Sequence, residues 1–99
     1  MNADFTDVVT IEKETISGQI FPHEDVLPDT EAQRKRRRDA ERAATLGNGY
    51  QGKLDIYFQT ADGVTKRVQT TVWAAHEEYI TLKAGATIPL RAILHFDFY

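Results

Sequence analysis

The sequence predicts an α+β protein. It assigns an acidic segment to residues 1–28, a charged helix to 29–48, and a five-stranded antiparallel small β-barrel to 49–99, the barrel forming one domain with the helix. Three observations predict this. Apolar residues recur at every second position through Leu54, Ile56 and Phe58, then Val68 and Val72, then Ile80 and Leu82, the period of strands with one buried face. Short polar and glycine-bearing stretches divide the same region into closely spaced runs, a pattern most economically buried by a small barrel or curled sheet. Ahead of it, one stretch joins strong helix formers to a capping pattern. A core built only from the second half of a 99-residue chain lies near the lower size limit for independent folding. Further burial from the first half or from a partner is therefore expected.

The chain has no cysteine and so no disulfide, thiol nucleophile or thiolate metal site, and a reducing cytoplasm is the expected compartment. Met1-Asn2-Ala3-Asp4 lacks the basic-then-apolar pattern of a secretion signal. No stretch approaches the roughly 18 consecutive apolar residues of a membrane span, so no membrane partner is expected.

The net charge of −3 conceals an asymmetry along the chain. Residues 1–28 set Asp4, Asp7, Glu12, Glu14, Glu24 and Asp25 against Lys13 alone, for −5, whereas residues 29–48 sum to +2 and the remainder balances. In the acidic segment, Val8 to Ile11 and Ile16 to Phe21 have strand character, the second run interrupted by Ser17-Gly18 and stopped by Pro22. The segment either adds one or two strands or stays disordered. His23, Glu24 and Asp25 are metal-ligating types, but adjacent residues of an extended segment point in alternating directions and do not converge on an ion. A solvated loop is expected there.

Thr30 is read as the N-cap of the helix, with Gln33 completing a capping box and Glu31 placing negative charge at the positive end of the dipole. Glu31 with Lys35, and Arg37 with Glu41, are opposite charges at i,i+4. Ala40, Ala43 and Ala44 favour helix, and Gly47 is read as the left-handed stop after Leu46. The expected helix is Thr30 to Leu46. Its apolar face is thin, so only its C-terminal end is expected to dock. Arg34, Lys35, Arg36, Arg37 and Arg38 are consecutive cations that, at about 100° per residue, surround the helix. That arrangement suits phosphate contacts; the alternative is a solvated helix whose cations face Glu31, Asp39, Glu41 or the acidic segment.

Ala61-Asp62-Gly63 separates Leu54–Thr60 from Val64–Trp73 as a three-residue hairpin loop, its glycine taking the left-handed bulge position. This loop pairs Thr60 with Val64, Phe58 with Lys66, Ile56 with Val68 and Leu54 with Thr70; a two-residue loop shifts every apolar residue off its partner. Leu54, Ile56, Phe58, Val68 and Val72 then face inward. Asp55, Tyr57, Gln59, Arg67, Gln69 and Thr71 face outward, with Trp73 at the strand end. His76, Glu77 and Glu78 read as a polar turn instead of an acid-base or metal site. Tyr79 to Lys83 resumes the alternation, Ala84-Gly85-Ala86 turns the chain, and Thr87 to Leu90 is a short strand held to an edge by Pro89. A turn at Arg91-Ala92 leads into Ile93 to Phe98, with Leu94, Phe96 and Phe98 on one side and Ile93, His95 and Asp97 on the other.

This order of elements resembles that of the Sm-like and SH3-like small barrels. Within that group the chain is most similar to the Sm-like bacterial family Rof, whose members inhibit the Rho termination factor. The resemblance covers about residues 30–98 and rests on spacing, on Asp62-Gly63, and on Ile88-Pro89-Leu90-Arg91-Ala92-Ile93. It implies an Sm-like barrel behind one helix. RNA-binding Sm proteins place glycine after the arginine of the last segment, where this chain has Ala92, and Trp73-Ala74-Ala75-His76 has no counterpart of their base-binding loop. Ring assembly and uridine binding are not implied.

Three function classes follow. A protein-interaction or regulatory module would use Tyr57, Trp73 and Tyr79 together with the charged helix, although Trp73 and Tyr79 equally suit the plugged ends of a barrel. An RNA or single-stranded DNA binder would stack bases on Tyr57 and Trp73 beside Arg67, with Arg34, Lys35, Arg36, Arg37 and Arg38 on phosphates. An enzyme is disfavoured: there is no glycine-rich phosphate loop, no Ser/His/Asp spacing and no histidine pair at metal-ligand distance, so no catalytic residue, cofactor or metal ligand is assigned. Strand edges at Thr87–Leu90 and Ile93–Phe98 could be covered by a second copy in a homo-oligomer.

Overall fold

The hairpin forms in the register that its loop dictates. In a computed structural model describing residues 7–50 and 52–99, Leu54 pairs with Thr70, Ile56 with Val68 and Phe58 with Lys66. Thr60 N–H donates to the Val64 carbonyl at 3.1 Å, and Gly63 closes the loop at φ +85°. The five residues expected inward, Leu54, Ile56, Phe58, Val68 and Val72, are all buried.

The described residues form one α-helix, α1 (Thr30–Tyr50), and seven strands: β1 (Val9–Ile11), β2 (Leu54–Gln59), β3 (Thr65–Thr70), β4 (Val72–Ala75), β5 (Tyr79–Leu82), β6 (Thr87–Pro89) and β7 (Ile93–Asp97). They form two sheets, one ordered β1-β3-β2-β7 and the other β4-β5-β6. Neither sheet closes into a barrel, so the expected five-stranded barrel is replaced by an α+β arrangement of two sheets over one core. Two local causes act. The run from Val64 to Trp73 breaks at Thr71, which lies in neither sheet and turns the chain from β3 into β4. At the other end, Pro89 has no N–H to offer a further strand, and a 3₁₀ turn at Leu90–Ala92 follows at once. No pairing joins β6 to β7.

The described part of the acidic segment adds one strand. β1 runs parallel to β3, placing Thr10 beside Arg67 and Ile11 beside Val68. The expected second strand is instead a 3₁₀ turn over Lys13–Gly18, where the Thr15 hydroxyl donates to the Glu12 carbonyl at 2.8 Å and so closes the turn. Ile16 projects from it into the core, and the Phe21 ring lies 5.9 Å from that of Phe58. Residues 1–6, which carry Asp4, are outside the described part.

The helix begins one residue earlier in function than expected. Asp29 is the cap: its carboxylate accepts from Ala32 N–H at 3.1 Å, while the Gln33 side chain donates to the Leu27 carbonyl instead of completing a capping box. Gly47 does not stop the helix, which continues to Tyr50. Its role is close packing. A Cβ at Gly47 would stand 2.0 Å from the Val72 carbonyl oxygen, so only glycine lets α1 lie this close to β4.

In β7, Tyr57 is opposite His95 and Phe58 opposite Ile93, so Leu94 is an extra residue. This bulge brings Ile93 and Phe96 to the same buried side, against the simple alternation expected for the last strand. Among the described residues no helix is long and apolar enough to cross a membrane.

Candidate functional site

The run of five cations is divided by the fold. Arg36 points inward and is only 6 % exposed. Its guanidinium donates to both carboxylate oxygens of Asp25, at 2.6 and 2.8 Å, and to the Ile93 carbonyl at 3.0 Å. Burial pushes the Asp25 carboxyl up, but the bonds from Arg36 and the Leu27 N–H, with the Arg36 charge, outweigh it and hold the group below its ordinary value. Arg36 therefore clamps α1 to the segment before it and to β7. It is not a surface contact residue, which corrects its assignment to the partner-binding set.

The other four cations are exposed. Arg34 pairs with Glu31 at 3.3 Å and Lys35 with Asp39 at 2.6 Å, in place of the i,i+4 pairs expected from the sequence. Arg37 donates to the Glu77 carbonyl, tying the helix to the turn between β4 and β5. The side chains of Arg34, Arg37 and Arg91 line a cleft of about 390 Å³, together with Glu77 and Glu78. Backbone bonds fix its walls: Leu90 N–H donates to the Glu78 carbonyl at 2.9 Å and Val26 N–H to that of Arg91 at 2.8 Å, while Arg91 Nε donates to the Pro22 carbonyl at 2.7 Å. Sequence reasoning missed Arg91, because no spacing signal shows that the turn before β7 meets the first turns of α1.

The strands on either side of that β4–β5 turn each carry an exposed aromatic. Trp73 is 45 % exposed and sits where the β4–β5 register shifts, between Val72 and Ala74; Tyr79 is 42 % exposed. The His76 ring stacks on Tyr79 with centroids 4.3 Å apart, and its Nε2 lies 3.0 Å from the Thr81 hydroxyl. Trp73 and Tyr79 thus belong to the surface and do not plug the core.

Tyr57 does not. It is 6 % exposed, stacked against His95 at 4.4 Å and 15°. Arg67 lies over its other side and donates to the Thr10 hydroxyl through Nε at 3.1 Å and a terminal nitrogen at 2.6 Å. The cause is the strand order. With β1 beside β3 and β7 beside β2, the row Thr10–Arg67–Tyr57–His95 crosses all four strands, and the outer two side chains cover the inner pair. The expectation of Tyr57 as an exposed contact is corrected. Arg67 is half-buried and engaged within the sheet.

Among the described residues no group of three histidine, cysteine, aspartate or glutamate side chains could hold a metal ion. Comparison with protein-family models, with curated proteins and with solved structures finds no match.

Proposed function

We propose that the protein is a non-catalytic, cytoplasmic protein-binding module, a relative of the Rof-like small barrels whose sheet has opened at β6 and β7. On this reading its contact surface is the cleft of Arg34, Arg37 and Arg91 together with Trp73 and Tyr79. One observation carries the reading. The Arg37 bond to the Glu77 carbonyl joins the exposed cations of α1 to a turn that bears the exposed aromatics on its flanking strands. Arginine and large aromatics are the side chains that most often anchor protein interfaces. The nucleic-acid alternative loses one of its two base-stacking residues, since Tyr57 is covered and Arg67 beside it is engaged with Thr10 and Tyr57, while Trp73 stays exposed.

The test is capture from lysate of the source cells on immobilised protein, with and without nuclease and over a salt series. The expected result is a protein retained after nuclease treatment and lost from the Arg34→Gln/Arg37→Gln/Arg91→Gln variant. Retention abolished by nuclease transfers the surface to nucleic acid. Equal retention on the variant removes the cleft from the reading.

A further inference from the structure

A second cavity, of about 330 Å³, lies where the 3₁₀ turn after β1, the entry to β2 and the exit of β5 meet the end of β3. Lys13, Lys53 and Lys83 line it, each from a different one of these segments. The ion pairs found among the described residues all involve α1, so none of the three ammonium groups has a carboxylate partner among those residues. Their backbones are nevertheless pinned: Lys83 N–H donates to the Thr71 carbonyl at 2.9 Å, and the 3₁₀ turn that starts at Lys13 is closed by Thr15 N–H on the Glu12 carbonyl at 3.0 Å. Three ammonium-bearing residues around one cavity repel one another to the extent that Glu12 and Glu14 do not offset them, and a bound anion relieves that repulsion.

Thr70 supplies an independent sign. Its register with Leu54 places it on the inward side of β3, it lines the same cavity, and it is 2 % exposed. Its hydroxyl has no hydrogen-bond partner. Buried hydroxyls are ordinarily paired, and an unpaired donor on a residue that lines a lysine-bearing cavity matches an anionic acceptor. Glu12 and Glu14 also line the cavity and reduce its formal surplus from the three lysines to +1. The three lysines can hold one small anion, while a polyanionic backbone would also meet the two glutamates.

We infer that this cavity binds a phosphate dianion, free or as a small phosphate monoester, through Lys13, Lys53, Lys83 and the Thr70 hydroxyl. It is separate from the arginine cleft and does not depend on the function proposed for that surface.

The experiment is an amide chemical-shift titration of the full chain with inorganic phosphate and, separately, with ribose 5-phosphate, both against sodium chloride at matched ionic strength. Saturable shifts centred on Lys13, Lys53, Thr70, Thr71 and Lys83 are expected with at least one of the two phosphates, and the tighter of them identifies the source. Lys13→Gln/Lys53→Gln/Lys83→Gln should weaken binding at least tenfold. Thr70→Val, which keeps the side-chain shape and removes an unpaired group, should weaken it several-fold with no fall in the thermal midpoint. Wild-type affinity in either variant overturns the site, as do shifts reproduced by chloride or centred on Arg34, Arg37 and Arg91. An oligonucleotide that perturbs the same amides at lower concentration than either phosphate overturns the small-anion assignment.

Discussion

The β2–β3 hairpin and the helix-proximal segment from Asp25 to Arg38 are both dense in sequence signal, yet they differ in where their partners lie. Every pair in the hairpin is set by one loop, and each residue meets a partner fewer than twenty positions away. Arg36 instead meets Asp25, before the helix, and Ile93, 57 positions later. Local pattern therefore reads the hairpin correctly and reads Arg36 as one more surface cation. A contact that closes over most of the chain leaves no period or spacing by which to find it.

The largest expected effect tests the hairpin side of this contrast. Phe58→Ala removes a fully buried ring that packs against Phe21, and Ile56→Ala removes its inward neighbour. Losses of about 3–5 kcal/mol and about 2–5 kcal/mol respectively are expected in urea unfolding. Stability unchanged in both would refute the inward face.

The helix side is tested by separating Arg36 from the cations around it. Arg36→Gln leaves Asp25 without its partner and the Ile93 carbonyl without its donor, and should cost about 2–3 kcal/mol, below the usual figure for a fully buried pair because Asp25 is partly exposed. Arg38→Gln on the exposed face should stay within about 0.5 kcal/mol. Equal effects of the two substitutions would erase the distinction between clamp and surface. The paired glycines of the same helix sharpen the point at its other end. Gly47→Ala drives a Cβ into the Val72 carbonyl and should cost about 2 kcal/mol, despite the gain in helix propensity. Gly49 has open space and should gain about 0.5–1 kcal/mol from the same change.

These contrasts also show how much was legible in the sequence. The α+β class, the β2–β3 register and the edge position of β6 follow from period, loop length and proline chemistry, all of which act within a few residues, whereas period alone left Trp73 and Tyr79 equally suited to surface and core. The open sheets were not legible, because the break at Thr71 has no glycine or proline to mark it. Neither was the covering of Tyr57, which needs β1 on one flank and a bulged β7 on the other. Gly47 was visible as a glycine but misread as a helix stop, since close approach to a strand 25 residues later looks the same in sequence as a cap.

Acid titration separates two of these long-range contacts by pH. Asp25 has its carboxyl held below the ordinary value in the fold, so the stability it contributes is complete above its unfolded value and is lost as pH falls through the folded one, below about pH 4. His95 acts at milder pH. Its loss of solvent, reinforced by the Lys35 charge, pushes its imidazole down, against the opposing pull of Asp97 and Asp39. A depressed folded value means that the neutral ring is favoured against Tyr57. This contribution is present above the unfolded value near pH 6.5 and declines as pH drops through the lower folded value. Thermal midpoints measured from pH 8 to 3 should therefore fall in two stages. His95→Gln should flatten the upper stage alone, and Asp25→Asn, with its lower starting stability, the acid stage alone. Unchanged profiles in both variants would place the pH sensitivity in other carboxylates and deny these two cross-chain contacts a measurable share of the folding energy.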